Sequence, residues 1–336
     1  MSVGSSASDQ SAEFFDASIK AMEAEHDDGA LDALGWWEML GSLDDDDAAS
    51  AVFAAARAQG RTLADTPLVC GVSGAALAAA AGLAPGAAVA ALCRRSPERG
   101  EVWNIVGHVG GRSLIFDVEG RGAFVVPSDE VSVTSIDVAG RATVVEVIAS
   151  LGGRSPDLAE GVAAPLRARS LYLARAAAAS EILGAAERVA AMATDYARDR
   201  HQFGKPIGTF QALRHLLAWA ATDCVAIDSV VRQAISLRHD AGSAELVDRF
   251  GAATKAVAGR NGRRACDRAL QAFGGIGFTA EHEHHHFHSR VMVLDALLGT
   301  SAVLTGDLGA WLRAGGTPSV PDLVLGAAVR SGMGQS

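Results

Sequence analysis

Residues 196–215, YARDRHQFGKPIGTFQALRH, form a polar corner between two helical patterns. A helix C-terminus favours an arginine, because the cation interacts with the free carbonyls and the dipole. That role accounts for Arg200 but leaves Gln202, Phe203 and Gly204, which follow directly, without a reason. An arginine fork suits phosphate, and a glycine lets a ligand approach the backbone closely. The stretch is therefore either a helix corner or a phosphate-binding loop.

Composition limits the class of protein. The chain has 336 residues, of which 49% are hydrophobic and 20% charged, enough for two or three packed regions. Its net charge of −10 argues against a nucleic-acid binder. The acidic run 44–47 is expected in a solvated loop or at a helix start. Four well-separated cysteines without a CxxC pair, and a polar N-terminal stretch, predict a cytoplasmic protein with reduced thiols and neither structural zinc nor membrane spans.

The spacing of apolar residues divides the chain into an α+β order of segments. Residues 10 to about 92 show helical spacing, and residues 1–65 are predicted to form a truncated N-terminal helical domain. Residues 66–150 are predicted to form a degenerate middle β domain, in which residues 100–147 contain short Val-, Ile- and Phe-rich runs between turn residues, typical of a small antiparallel sheet or barrel. Residues 151–316 are helical again, and 317–336 form a tail. The expected order is α, then β, then an α bundle.

Four long helices are predicted in the third segment. The first begins at Ser155-Pro156-Asp157, with the serine as N-cap, and ends near residue 200. The second follows Thr209 as its N-cap and ends near residue 239. The third covers 244–273 and the fourth 292–313. Long helices joined by short loops indicate an up-and-down four-helix bundle.

Two further motifs have competing explanations. In QAFGGIGFT, residues 271–279, the glycines could end a helix, or they could offer open backbone, with Gln271, to a planar polar ligand. A Rossmann motif is not expected, because these glycines follow a helix and not a strand. In EHEHHHFHSR, residues 281–290, His282, Glu283 and His286 match H-E-x-x-H. A run this rich in histidine satisfies many patterns, so adventitious metal binding is expected and a catalytic zinc is not.

Residues 196–215 resemble the Y-x-x-x-R-x-Q-F-G-x-x-I-x-x-F-Q segment of acyl-CoA dehydrogenases. Residues 271–290 resemble that family's Q-x-x-G-G-x-G-F-T-x-E-H-x-x-H-x-x-x-R segment, with Arg290 one place late. The resemblance is close over 156–305 and weak before it. It implies an acyl-CoA dehydrogenase-like fold, with a shortened N-terminal α domain, a small middle β domain and a C-terminal four-helix bundle.

The resemblance implies half of an FAD site. In that family both segments contact the pyrophosphate and adenine of the FAD held by a neighbouring subunit. The T-E-x-x-x-G-S-D and W-x-x-N-G-like motifs, which support the flavin ring, are missing from residues 66–147, where Trp103-Asn104 matches only superficially. The FAD-contacting positions carried over to this chain are Arg200, Gln202, Phe203, Gly204, Gln271, Gly274 and Gly275.

The catalytic base of the family has no counterpart. Desaturation needs a carboxylate at the substrate α-carbon, and the two places where the family keeps it correspond to Leu298 and Ala174. The resemblance therefore implies the short, degenerate subunit of an actinobacterial α2β2 acyl-CoA dehydrogenase, paired with a full-length subunit and acting on an acyl-CoA such as a steroid side-chain thioester. The alternatives are a self-sufficient enzyme with Glu281 or Asp295 as base, or a flavin-free scaffold.

Overall fold

Five helices form the N-terminal part of the molecule. The computed structural model describes residues 7–96, 100–107, 109–138, 141–148, 151–238 and 244–315. The acidic run starts a helix, as expected: the side chain of Asp45 accepts the backbone N–H groups of Asp47 and Ala48 at 3.0 and 2.9 Å, as an N-cap does. The helices are α1 (Ala7–Ala24), α2 (Gly29–Ala33), α3 (Trp36–Leu40), α4 (Asp46–Thr62) and α5 (Leu68–Ala80).

Two small sheets follow. One consists of β1 (Ala88–Ala90), β4 (Ser113–Val118) and β5 (Gly122–Val126), and the other of β2 (Leu92–Ser96), β3 (Gly100–Val106), β7 (Ala142–Ile148) and β6 (Ser132–Val138), in that spatial order. The antiparallel pairing predicted for residues 100–147 is confirmed by the pairs β3–β7, β4–β5 and β6–β7. β1, which lies before that stretch, pairs parallel with β4. Helix α5 also lies beyond residue 65, so the helical part continues further than the proposed division; that division stays a prediction.

The C-terminal part is a helical bundle. Its helices are α6 (Glu160–Asp199), α7 (Gln211–Leu237), α8 (Ala244–Phe273), α9 (His284–Ala296) and α10 (Ser301–Arg313). The short strands β8 (His201–Gln202) and β9 (Lys205–Pro206) lie between α6 and α7, and 3-10 turns cover Ser128–Glu130, Ile207–Thr209 and Gly274–Phe278. The predicted bounds of α8 are confirmed. The predicted N-cap of α7 was wrong, because Thr209 Oγ1 donates to the carbonyl of Pro206 at 2.7 Å and Phe210 precedes the helix.

The predicted start of the first bundle helix was also wrong. Helix α6 begins at Glu160, and Ser155 does not cap it. The segment before it pairs with β5 instead: Leu158 and Ala123 exchange two backbone hydrogen bonds at 2.9 and 3.0 Å, and Asp157 Oδ2 accepts from the amide of Val125 at 2.8 Å. These tertiary contacts satisfy the backbone hydrogen-bonding groups of this segment in an extended conformation, so the first turn of α6 begins only at Glu160.

The fourth predicted helix is divided into α9 and α10, with α9 starting at residue 284, before the predicted 292. The break lies at Leu298 and Gly299, whose φ angles are 58° and 101°. Both values are left-handed, and a left-handed residue ends an α-helix. A new N-terminus follows, where Thr300 Oγ1 accepts from the amide of Val303 at 3.2 Å. The stretch 284–313 is long and apolar enough to cross a membrane by length and composition alone, but this break divides it.

The N-terminal helices and the bundle meet at a close crossing of α4 and α6. A Cβ on Gly60 would lie 1.8 Å from the carbonyl oxygen of Glu181, and one on Gly184 would lie 1.8 Å from that of Arg57. Beside this crossing, the fully buried Arg290 pairs with Glu181 at 2.6 Å and donates to the carbonyl of Ala64 at 2.9 Å. The two parts therefore share one core.

Candidate functional site

The first candidate loop is an exposed hairpin at the end of α6. Arg200 directly follows the helix, and its carbonyl accepts from the amide of Ile207 at 2.8 Å, which closes the hairpin. Phe203 and Gly204 form its tip with φ angles of 53° and 76°. The ring of Phe203 is 90% exposed and meets Phe210 edge-on at 6.1 Å. An exposed phenylalanine at a strained left-handed position indicates a contact surface.

The donors of this loop are available. The side chain of Arg200 is exposed, and within the described residues no hydrogen bond or ion pair engages its guanidinium. Gln202 is exposed too, and Lys205 Nζ lies 4.5 Å from the centroid of the Phe210 ring. The loop therefore presents two cations and an amide to solvent, a donor set that fits an anionic diphosphate.

The second candidate loop is the 3-10 turn after α8. Gln271 is exposed in the last turn of the helix, and Gly274 has a φ of 65°. A Cβ on Gly274 or Gly275 would meet no atom within 4 Å. The backbone here is open on the outside, as a ligand lying against it requires. Ile276 and Phe278 on the same turn are exposed apolar side chains, the latter 77% exposed.

Both loops lie at one end of the bundle. The rings of Tyr196, near the end of α6, and Phe273, at the end of α8, meet at 5.7 Å and 70°. A Cβ on Gly208, after the first loop, would lie 3.0 Å from the carbonyl of Ala197. The turn and the hairpin thus pack around the same helix ends. The structure brings together the two sequence motifs, which are about 70 residues apart along the chain.

The histidine-rich stretch supports the second turn. The ring of His282 lies 4.1 Å from that of Phe273, and the buried His284 has Nε2 2.9 Å from the carbonyl of Cys266. Since a carbonyl only accepts, Nε2 carries the proton. Burial lowers the pKa of His282, His284 and His286. Among the described residues no three His, Cys, Asp or Glu side chains are placed to hold one metal ion.

The two family positions of the catalytic base lie close together. Ala174 is fully buried on α6, and its neighbour Arg175 donates from Nε to the carbonyl of Leu298 at 3.3 Å. Arg175 Nη1 also pairs with Asp248 at 2.7 Å, and burial lowers the pKa of the guanidinium. Leu298 packs against the hydrophobic core. Helix α6 thus contacts the turn between α9 and α10 at these two positions. Neither position carries an ionisable group.

The two alternative bases differ in environment. Glu281 is exposed beside the glycine turn. Asp295 is 5% exposed and fully engaged: its carboxylate accepts from the amide and hydroxyl of Ser301 at 3.0 and 3.2 Å and lies 3.4 Å from Arg263 Nε. A carboxylate with these partners is suited to holding the start of α10. Neither assignment is tested by these contacts, and both stay predictions.

Sequence reasoning missed the buried lysine in this region. Lys255 on α8 is fully buried, and its Nζ donates to the carbonyls of Asp295 and Gly299 at 3.1 and 3.4 Å. Burial lowers its pKa to about 8. The available signal was its position on an apolar stripe of α8 between Ala252 and Gly259, where a charge needs a partner.

Trp103 and Asn104, the superficial match to the flavin-ring motif, lie on a strand of the middle β region. The ring of Trp103 on β3 packs edge-on against Phe116 on β4, with centroids 5.3 Å apart. Asn104 is buried in the same strand. Trp103 therefore contributes to packing between the two sheets, whereas Asn104, the next residue of β3, points to the opposite face of the strand.

Residues 160–312 match the C-terminal domain family of acyl-CoA dehydrogenases. The chain carries an acyl-CoA dehydrogenase C-terminal domain. Curated relatives agree: FadE34 of Mycobacterium tuberculosis is 34% identical over 42% of this chain and 19% of its own length, and IpdE2 of the same organism is 36% identical over 33% of each. The matched region spans a third or less of these two relatives.

Solved structures extend the likeness to the whole fold. The Tcur3481–Tcur3483 steroid acyl-CoA dehydrogenase variant superposes with a TM-score of 0.72 at 20% identity, covering 92% of this chain and 99% of that one. The ChsE4–ChsE5 complex of M. tuberculosis gives 0.69 at 21% identity, covering 95% and 100%. Butyryl-CoA dehydrogenase of Megasphaera elsdenii gives 0.69 at 18% identity, covering 93% and 100%. The architecture of an α region, small sheets and a C-terminal helical domain is thus an acyl-CoA dehydrogenase fold.

Proposed function

We propose that this chain is the non-catalytic subunit of a heteromeric, FAD-dependent acyl-CoA dehydrogenase. One observation carries the proposal: the loops that would hold a neighbour's FAD are exposed and complete, whereas both base positions, Ala174 and Leu298, are apolar. An enzyme that worked alone would need a carboxylate at one of these two base positions. The partner would be a full-length acyl-CoA dehydrogenase subunit in an α2β2 assembly, holding most of the acyl-CoA.

The residues present fit the diphosphate and adenine part of FAD. Arg200 and Gln202 would donate to the pyrophosphate, and Phe203 with Gly204 would shape the tip of that loop. Gln271 would contact the adenine side, with Gly274 and Gly275 exposing their backbone. FAD supplies hydride acceptance in this family. This chain's own residues would bind and orient the cofactor without moving a proton.

Two neighbours by fold support the assembly and the substrate class. One is described as a complex of two different chains and another as a steroid acyl-CoA dehydrogenase. Their identity to this chain is 20 to 21%, so they support the fold of the subunit alone. That the chain pairs with a different subunit and that the substrate is a steroid thioester are our inferences. The substrate is tested by comparing a steroid side-chain CoA thioester with a straight-chain acyl-CoA as substrates of the assembled complex.

The proposal is tested by producing this chain alone and with a full-length acyl-CoA dehydrogenase from the same genome. We expect activity and bound flavin in the complex, with one flavin for each pair of different subunits. A flavin-loaded, active homomer of this chain would overturn the proposal and favour a self-sufficient enzyme. An active complex without flavin contacts from this chain, seen as unchanged FAD affinity in loop variants, would favour a scaffold.

The loop variant is Arg200→Ala. Loss of a charge-assisted hydrogen bond to phosphate should weaken FAD retention in the complex about 10- to 100-fold. Arg198→Ala is the matched control, because Arg198 lies two residues earlier, is exposed and pairs with Asp195 at 3.2 Å on its own helix. Equal FAD affinity in both variants would remove Arg200 from the site.

A further inference from the structure

A cavity of about 600 Å³ lies between α1, α4, α6 and α7, away from both flavin loops. We refer to it as the lateral cavity and define it by Phe15, Phe53, Arg57, Leu183, Val231 and Ser236, which line it. Protein interiors rarely leave voids larger than a water molecule, and ligand pockets begin near 300 Å³. A space of this size is therefore too large for a packing defect.

The lateral cavity is separate from the two family positions of the catalytic base, Ala174 and Leu298. Leu183 follows Ala174 by about two and a half turns of α6, which places the two side chains on opposite faces of that helix. The side of α6 near Ala174 and Arg175 faces the turn at Leu298, whereas the side that carries Leu183 faces α4 and α7. A ligand in the lateral cavity would contact neither family position of the base.

One end of the lateral cavity is polar and electrically balanced. Arg57 donates to both carboxylate oxygens of Glu187 at 2.8 and 2.6 Å, and Arg232 Nε donates to Asp228 at 2.7 Å. Arg57 Nη1 lies 4.0 Å from Asp228 Oδ1, too far for a hydrogen bond. Two guanidinium groups thus lie beside two carboxylates, and among the described residues Arg57 Nη1 makes no hydrogen bond.

The ion pair of Arg238 with Asp46 and several serine side chains also line the cavity, and hydrocarbon forms the larger part of the rest of its wall. Phe15, Phe53, Leu183 and Val231 supply aromatic and aliphatic surface, and the guanidinium of Arg57 lies 5.0 Å from the Phe15 ring. Apolar walls favour an apolar ligand body by removing its surface from water. A balanced polar end gives an anion no net attraction, yet its spare N–H groups suit a neutral acceptor.

We propose that the lateral cavity binds a small molecule with a hydrocarbon body and one neutral hydrogen-bond acceptor, such as a ketone or ester oxygen. The hydrocarbon lies along Phe53, Leu183 and Val231, and the acceptor receives a hydrogen bond from Arg57 Nη1. This site does not depend on the flavin proposal, because it shares no residue with the two loops.

The test is calorimetric titration of the full chain, in its complex where one forms, with 2-dodecanone and with dodecanoate at pH 8. We expect saturable binding of the ketone at one site per copy of this chain, at least about tenfold tighter than the carboxylate. Absence of ketone binding would overturn the proposal. Tighter binding of dodecanoate would overturn the neutral-acceptor assignment.

Matched variants locate the binding. Ser236→Trp places a large ring in the lateral cavity from an exposed position of α7, whereas Gln233→Trp adds the same ring at an exposed position outside its lining. We expect ketone affinity to fall at least about tenfold in the first variant and to stay at the wild-type value in the second. Equal affinity in both variants would place the ketone elsewhere and refute the site. Flavin content should be unchanged in both, which separates this test from that of the flavin proposal.

Discussion

Arg175 donates from Nε to the carbonyl oxygen of Leu298 at 3.3 Å and so joins the first bundle helix to the turn between α9 and α10. This single bond brings together the two places where acyl-CoA dehydrogenases keep a base. Here one is alanine and the other leucine, while Arg175 also donates to Asp248 and Lys255 donates to the carbonyl of Gly299. Neither of the two places carries a carboxylate.

The first prediction concerns the exposed carboxylate beside the glycine turn. Glu281→Gln should leave kcat of the assembled complex within about twofold, because an exposed group outside the Arg175–Leu298 region cannot reach an enclosed α-carbon. Steady-state kinetics on the complex give the answer. Glu283→Gln, also exposed and two residues later, is the control. A loss of 100-fold or more confined to Glu281→Gln would identify Glu281 as a relocated base.

The second prediction separates stability from chemistry at Asp295. Asp295→Ala removes the partner of the buried Lys255 and the acceptor for the amide of Ser301. Breaking a buried charge pair from one side costs about 3–5 kcal/mol. We expect the free energy of unfolding, measured by urea denaturation, to fall by that order. In a complex that still assembles at low temperature, kcat should be retained; its selective loss in Asp295→Asn, with stability preserved, would assign catalysis to Asp295.

Much of this architecture could be predicted from patterns along the chain. Helix α8 was located at both ends, because its apolar stripe is long and glycines follow Phe273. The start of α6 could not be located, since Asp157 and Leu158 pair with β5, a contact distant in sequence. The break after α9 was hidden for another reason: Leu298 has a left-handed φ of 58°, and leucine is not a residue type that signals this conformation in a sequence.

Some parts of the candidate site could likewise be predicted from the sequence and others could not. The flavin loops are local segments, so motif order and residue type suffice to propose them, and the structure adds that they meet at one end of the bundle. The cluster of Lys255, Asp295 and Ser301 joins three helices and has no short motif. The lateral cavity is likewise invisible in sequence, because its walls come from four separate helices.

The third prediction concerns acid stability. Burial lowers the pKa of His284, so below an unfolded-state value near 6.5 the unfolded chain binds this proton more readily than the folded chain. Stability must therefore decrease as the pH falls through about 6.5, by up to about 1.4 kcal/mol per pH unit from this group. His284 is surrounded by the rings of His282 and His288, which also lower its pKa, and by the carboxylate of Asp267, which raises it.

His284→Gln removes this titration and keeps a donor for the carbonyl of Cys266. We expect the loss of unfolding free energy between pH 7 and pH 5 to be smaller in this variant than in the wild type. His201→Gln, an exposed change on the hairpin, should keep the wild-type pH dependence. The measurement is the free energy of unfolding from urea titrations at both pH values. An equal loss between pH 7 and pH 5 in all three proteins would exclude His284 as the source of the pH dependence.

The fourth prediction concerns the crossing of α4 and α6, which positions the first bundle helix against the N-terminal part. Gly184→Ala would place a Cβ 1.8 Å from the carbonyl oxygen of Arg57, a backbone atom that cannot rotate away. The helices must separate, at a cost of about 1–3 kcal/mol or more. Gly306→Ala on α10 is the control, because its Cβ meets nothing within 4 Å and alanine favours a helix. Thermal unfolding should show a lower Tm for the first variant and an equal or higher Tm for the second; an unchanged Tm in Gly184→Ala would contradict the close crossing.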